Sequence, residues 1–162
     1  MSDKKFNLSP IGQVSAGPDG YMLKIDPKYR PALLGLGEFG HINVLWWSHL
    51  LDTDENRNVL EAEHPYKNGP EKLGIFATRS PVRPNPICVT TVSVLSVDVE
   101  NGLVIIPFID AENETPILDI KSYQPSSDRV RDFRMPEWCA QLPTCLEDSA
   151  NFDWESFFTW ET

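Results

Sequence analysis

Short runs in which apolar and polar residues alternate, rich in β-branched side chains and separated by Pro, Gly, Asn or Asp, recur along the chain. A period of two puts alternate side chains on opposite faces, so this pattern predicts strands joined by turns. Eight runs fit: residues 11–15, 21–25, 42–49, 59–63, 74–77, 89–99, 103–109 and 117–120. Gly17-Pro18-Asp19-Gly20 predicts the first hairpin turn, and Glu100-Asn101-Gly102 another, because Asn-Gly supplies the positive φ of a tight turn. Helical periodicity is scarce, with a turn or two expected over 31–36 and over 136–142, where Pro136 stands at a tolerated first-turn position. Eight strands without intervening helices predict a mainly β fold: a single antiparallel β-barrel with one or two short helices.

Residues 137–162 differ in kind. They carry six acids (Glu137, Glu147, Asp148, Asp153, Glu155, Glu161), no Lys or Arg, and six aromatics (Trp138, Phe152, Trp154, Phe157, Phe158, Trp160). Trp154, Phe157 and Phe158 have helical i, i+3, i+4 spacing, so this acidic, aromatic tail is expected to present one apolar face. That face would dock on its own barrel, meet another subunit or close over a substrate. The expected organisation is a barrel domain over 1–135 and a C-terminal extension, helical or docked, over 136–162.

The composition is that of a globular protein, 41% hydrophobic and 23% charged, with a formal net charge of -10. Such a field repels polyanions, which excludes nonspecific nucleic-acid coating unless cations gather locally. They do gather: Lys67, Lys72, Arg79 and Arg83 face only Glu71 over 64–87, and Arg129, Arg131 and Arg134 follow among Asp128 and Asp132. No run reaches the ~18 apolar residues of a membrane span, and Met1, Ser2, Asp3, Lys4 and Lys5 lead into no signal region, so a cytoplasmic location without membrane association is expected. Cys88, Cys139 and Cys145 are read as reduced packing thiols. His41 and His49, eight apart, would point the same way on one strand, but no carboxylate or Cys completes a ligand set, so no metal is expected.

Gly35-Leu36-Gly37-Glu38-Phe39-Gly40 matches the dinucleotide-binding spacing but lacks its preceding strand and following helix, and Pro27 and Pro31 interrupt the approach. Ser80 has no nucleophile elbow around it. The sharpest feature is Gly74-Ile75-Phe76-Ala77-Thr78-Arg79-Ser80-Pro81-Val82-Arg83-Pro84-Asn85-Pro86-Ile87. Its three prolines fix φ and extend the residues before them, so Arg79 and Arg83 are expected on a stiff loop suited to a carboxylate or phosphate, or else simply solvated. Asp119 and Lys121 alternate with Leu118 and Ile120, which places acid and base on one strand face as an ion pair or a site. Residues 65–72, with Asn68-Gly69-Pro70 and no apolar periodicity, read as a surface loop or a gate over a pocket.

Three stretches together resemble the TsaA-like family of single-barrel S-adenosylmethionine-dependent methyltransferases, whose members methylate threonylcarbamoyl-adenosine in tRNA anticodon loops. They are Leu36-Gly37-Glu38-Phe39-Gly40-His41 running into Val44-Leu45-Trp46, the whole of 74–87, and Thr115-Pro116 followed by Asp119-Ile120-Lys121 and Tyr123. The resemblance covers roughly residues 8–130. It implies a cytoplasmic homodimeric β-barrel enzyme of tRNA modification with S-adenosyl-L-methionine as cofactor. It assigns His49, Leu50, Arg79, Val89, Phe108, Ile109 and Asp110 to the cofactor. For the transfer step, where a base near the acceptor nitrogen is useful, Asp119 is one candidate base, Lys121 and Tyr123 are candidate orienting groups, and Arg83 is a candidate for the acceptor's carboxylate or a phosphate, with no ranking among them. Departures from the family pattern bear on the substrate: no Pro-Arg-Gln segment lies between Ile11 and Leu36, Cys88, Glu114, Gly40 and Ser122 replace the usual residues, and the short tail stands where longer members have a larger domain. The acceptor is therefore a tRNA, or alternatively a small anionic molecule or other group; a third reading is a non-catalytic sensor of the cofactor.

Overall fold

A computed structural model describes residues 6–18 and 20–159, so the expectations for Met1 to Lys5, Asp19, Trp160 and Glu161 lie outside the described residues. The chain divides into two compact units, residues 1–51 with 86–128, and residues 52–85 with 129–162.

The first unit is built on seven strands: β1 (Gly12–Gly17), β2 (Gly20–Ile25), β3 (His41–Trp47), β6 (Ile87–Ser93), β7 (Ser96–Asp98), β8 (Leu103–Ile106) and β9 (Pro116–Ser122). All pair antiparallel in the order β6-β3-β9-β1-β2-β8-β7. The alternation that predicted β3 is visible in its burial, with Ile42, Val44 and Trp46 inside and His41, Asn43, Leu45 and Trp47 on the other face. The inward set joins Val14, Leu23, Val104, Ile106, Ile109 and Ile117 in one core, where the Trp46 indole N–H is satisfied by Thr90 Oγ1 at 3.0 Å.

The mainly antiparallel β fold with few short helices is the one expected, and barrel describes it only loosely, because the hydrogen-bond ladder is open. Its two edges, β6 and β7, belong to the single strand expected over 89–99. That stretch breaks in two because the chain changes partner: Val94 N–H donates to Gly40 O, and Leu95 N–H already donates to Ile105 O. The sheet curls until one bent segment serves both edges, joined by the backbone rather than by a ladder.

Two glycines matter to the β1–β2 pairing. Gly20, at φ 100, completes the β1–β2 turn. Gly12 lies opposite Ile25, and a Cβ there would stand 2.1 Å from Lys24 O. The remaining elements of this unit are 3-10 turns at Pro27–Leu33, Leu36–Glu38 and His49–Leu51, and α2 (Pro125–Asp128). The glycine motif at 35–40 thus forms a 3-10 turn running into a strand, with no helix for a dinucleotide.

The second unit contains α1 (Asp54–Arg57), the hairpin β4 (Glu61–Glu63) and β5 (Lys72–Gly74), α3 (Leu146–Ser149), α4 (Trp154–Phe157), and 3-10 turns at Ile75–Ala77 and Glu137–Cys139. The strand expected over 74–77 ends at Gly74, since the Thr78 hydroxyl donates to Ile75 O and the Thr78 N–H bonds the same carbonyl. A small core holds the unit: Tyr66, Cys139 and Phe157 are buried, with Leu73, Trp138, Leu142, Phe152 and Phe158 around them. Tyr66 stacks on Trp138 at 4.8 Å and meets Phe157 at 5.0 Å and Phe158 at 5.6 Å. The tail therefore docks on residues 65–73: Lys67 N–H donates to Phe157 O, Thr159 N–H to Pro65 O, and Lys67 Nζ to Glu155 O. The presumed loop at 65–72 is anchored by this contact.

Candidate functional site

Strand register shows which of the expected residues the first unit gathers. Trp47 pairs with Ile87 and Trp46 with Ile117, so the C-terminal end of β3 and the N-terminal ends of β6 and β9 share one end of the sheet. Ser48 N–H donates to Pro86 O there, and Leu51 N–H to Ser48 O, turning the chain into the 3-10 turn that carries His49 and Leu50. β8 runs antiparallel to β2 and finishes at Ile106 opposite Tyr21, beside the β1–β2 turn. The connection that follows bears Phe108, Ile109 and Asp110 before entering β9. It is pinned by Asn113 Oδ1, which accepts from Ala16 N–H, and by Thr115 O, which accepts from Val14 N–H. Phe108 is 55% exposed, with Tyr21 edge-on at 5.2 Å, whereas Ile109 is buried in the core and offers only its backbone to a ligand. Val89, half-exposed, sits on the outer face opposite Leu45.

Asp119 and Lys121 are brought together as the alternation predicted, at 2.8 Å and largely in solvent. Asp119 Oδ1 also accepts from the Ile120 N–H. The Asp119 carboxylate raises the Lys121 ammonium pKa through the hydrogen bond and then through its charge. Tyr123 is not near the His49 end. Its N–H donates to His41 O at the opposite end of β3, six residues or about 20 Å along the strand. His41 shares a hydrogen bond of 3.1 Å with Ser93, and its ring lies 6.2 Å from that of Tyr123.

In the second unit the 74–85 part of the signature is stiffer than its prolines alone require. Thr78 Oγ1 accepts from Ser80 N–H, and Ser80 Oγ from Val82 N–H. Arg83 Nη2 donates to both Ile75 O and Thr78 O at 3.1 Å, so this guanidinium clamps the loop that carries Arg79. The Arg79 backbone also reaches the Tyr66 hydroxyl. Burial pushes that hydroxyl up, Cys139 adds to the effect, and the Arg79 hydrogen bond and charge oppose it.

Sequence reasoning missed three groups. Asn43 accepts from Thr91 and donates to Asp128, partners 48 and 85 residues away, and nothing local signals either bond. The hydroxyls of Thr78 and Ser80 were legible, since Thr-x-Ser-x-Val invites successive side-chain-to-backbone turns. Tyr66 had no signal, because its core is assembled from a distant segment. Among the described residues no three His, Cys, Asp or Glu cluster as metal ligands, and no helix is long and apolar enough to cross a membrane.

Comparison with known proteins adds the family. The model of the tRNA-methyltransferase O N-terminal domain matches residues 5–129. A protein of Methanocaldococcus jannaschii named "Probable S-adenosyl-L-methionine-binding protein" is 42% identical over 125 residues, 76% of this chain and 96% of its own length. The mouse protein named tRNA (adenine(37)-N6)-methyltransferase is 37% identical over 106 residues, 65% of this chain and 22% of its own. A crystal structure of TrmO superposes with a TM-score of 0.64 at 28% identity, covering 82% of this chain; this chain spans 64% of that one. The match over 5–129, the antiparallel fold shared with TrmO and the relative aligned along nearly its whole length agree: this chain belongs to the tRNA-methyltransferase O N-terminal domain family.

Proposed function

We propose that this chain is an S-adenosylmethionine-dependent methyltransferase that modifies the threonylcarbamoyl-adenosine nitrogen of a tRNA anticodon loop. The observation that carries the proposal is the family match over 5–129, which contains every residue given a role below. The names of the mouse and archaeal relatives support tRNA and cofactor respectively.

The residues present fit the cofactor. On the 107–115 connection an exposed aromatic ring braced by Tyr21, the backbone of a buried Ile109 and the exposed carboxylate of Asp110 suit adenine, its polar edge and ribose hydroxyls or an ammonium group. His49, Leu50 and Val89 supply partly apolar wall, and Arg79 is assigned to the carboxylate. When bound, the sulfonium supplies an electrophilic methyl group.

The chain's own task is then alignment and proton handling. An acceptor nitrogen that holds its proton is a weak nucleophile, and Asp119 Oδ2 is the assigned proton acceptor. Lys121 Nζ, donating to Oδ2, and the Ile120 N–H, donating to Oδ1, hold that carboxylate in one orientation. Tyr123 is assigned to the acceptor nucleic acid at the His41 end of β3, away from the transferred methyl group. With Arg83 Nη2 held by two carbonyls, Nη1 is the group assigned to the acceptor's carboxylate or a phosphate. A cytoplasmic homodimer is part of the same proposal.

Incubation with methyl-labelled cofactor and separated tRNA, metabolite and protein fractions tests it. Label in tRNA is expected; label only elsewhere, or binding without transfer, overturns it. Arg79→Ala is expected to weaken cofactor binding about tenfold or more by calorimetry, the cost of one charged hydrogen-bond pair; unchanged affinity removes Arg79 from the site.

A further inference from the structure

Residues 129–135, Arg-Val-Arg-Asp-Phe-Arg-Met, are exposed throughout. Val130 is 67% and Phe133 47% exposed, and no helix or strand forms between α2 and the turn at Glu137–Cys139. Three guanidiniums fall within six residues of a chain whose net charge is -10, and among the described residues none of them is in an ion pair. The nearest acid before them, Asp128, is committed elsewhere: Oδ1 accepts from Asn43 Nδ2 and Oδ2 from Gln124 N–H. Only Asp132 lies within the run.

Like charges concentrated this way repel one another, and an apolar ring among them gains nothing from water. Both features become favourable against one class of partner, single-stranded RNA, whose phosphates take guanidiniums and whose unstacked bases take an aromatic face. We infer that residues 129–134 form an RNA-binding strip, with Arg129, Arg131 and Arg134 on phosphates of a looped strand and Phe133 stacking on a base. The inference rests on the tRNA reading above and assigns its RNA contact to residues 129–134, none of which has a role in cofactor binding or transfer.

The test is fluorescence anisotropy of the full chain with a labelled anticodon stem-loop RNA across a salt series. Arg129→Gln/Arg131→Gln/Arg134→Gln is expected to weaken binding about tenfold or more and to flatten the slope of log affinity against log salt by about 2, three single-strand phosphates at roughly 0.7 each. Phe133→Ala is expected to weaken binding about fivefold or more with the slope unchanged. Lys24→Gln/Lys28→Gln, which lowers net charge outside the strip, should leave the slope as it was. Wild-type slope and affinity in the triple variant overturn the inference, as do an equal loss in the lysine control and an absence of RNA binding by the wild type. Methyl transfer to tRNA is followed in parallel. Transfer by the wild type with an unaltered triple variant sinks the strip and leaves the proposed function standing; strip-dependent binding without transfer does the reverse.

Discussion

Removing the Tyr66 ring should unfold the second unit while sparing the first. Tyr66 is one of three buried residues in that unit's core, and its ring meets Trp138, Phe157 and Phe158 within 5.6 Å. Truncating a buried aromatic to Ala costs about 3–5 kcal/mol through lost transfer energy and the cavity left behind. The β4–β5 hairpin, three residues per strand, has little else to offset that loss. Tyr66→Phe keeps the ring and removes only the hydroxyl's bond to the Arg79 backbone, about 0.5–1.5 kcal/mol. Hydrogen exchange resolved by peptide separates the cases: Tyr66→Ala should deprotect 61–63 and 72–74 while 41–47 stays protected, and Tyr66→Phe should leave both protected. The hydroxyl adds a pH signature. Its folded pKa lies above the ordinary tyrosine value near 10, so the unfolded chain loses this proton first as pH rises. Stability is full below pH ~10 and falls as pH climbs through and beyond that value; Tyr66→Phe should flatten the fall. Wild-type protection of 72–74 in Tyr66→Ala would refute the reasoning.

Gly12→Ala should destabilise the first unit by about 3 kcal/mol in urea titration, because its Cβ would meet Lys24 O at 2.1 Å and the β1–β2 ladder has no slack there; a loss under ~1 kcal/mol would mean the strands part freely. Arg83→Met keeps the apolar stem and removes the donors to Ile75 O and Thr78 O, so a loss of about 2 kcal/mol is expected, with faster exchange at Thr78 and Ser80; unchanged exchange would show that the prolines alone hold the loop.

The strands were legible wherever one face is buried and the chain keeps its partner. β3 shows this, and its end at Trp47 rather than His49 comes from a bond the sequence does not display, Ser48 N–H to Pro86 O. The stretch 89–99 has the composition of one strand, and only the rival carbonyls of Gly40 and Ile105 divide it. Site residues follow the same rule. The Asp119–Lys121 pair is local, two residues apart, and was readable. That Arg83 points at carbonyls within its own loop depends on a 3-10 turn at Ile75–Ala77 that strand-like composition concealed.

The family match stops at residue 129, yet Cys139 and Phe157, two of the three buried residues of the second unit's aromatic core, lie beyond it. The 74–87 signature is inside the match, and its unit depends on those later residues through Tyr66, whose hydroxyl bonds the Arg79 backbone. A two-stranded hairpin and a one-turn helix are too small to fold alone. In this chain Trp138, Phe157 and Phe158 supply the brace through the Tyr66 ring. The acidic, aromatic composition of the tail follows from that duty: the aromatics supply buried area to a unit with few aliphatic residues in its core, and exposed acids keep so apolar a segment in solution.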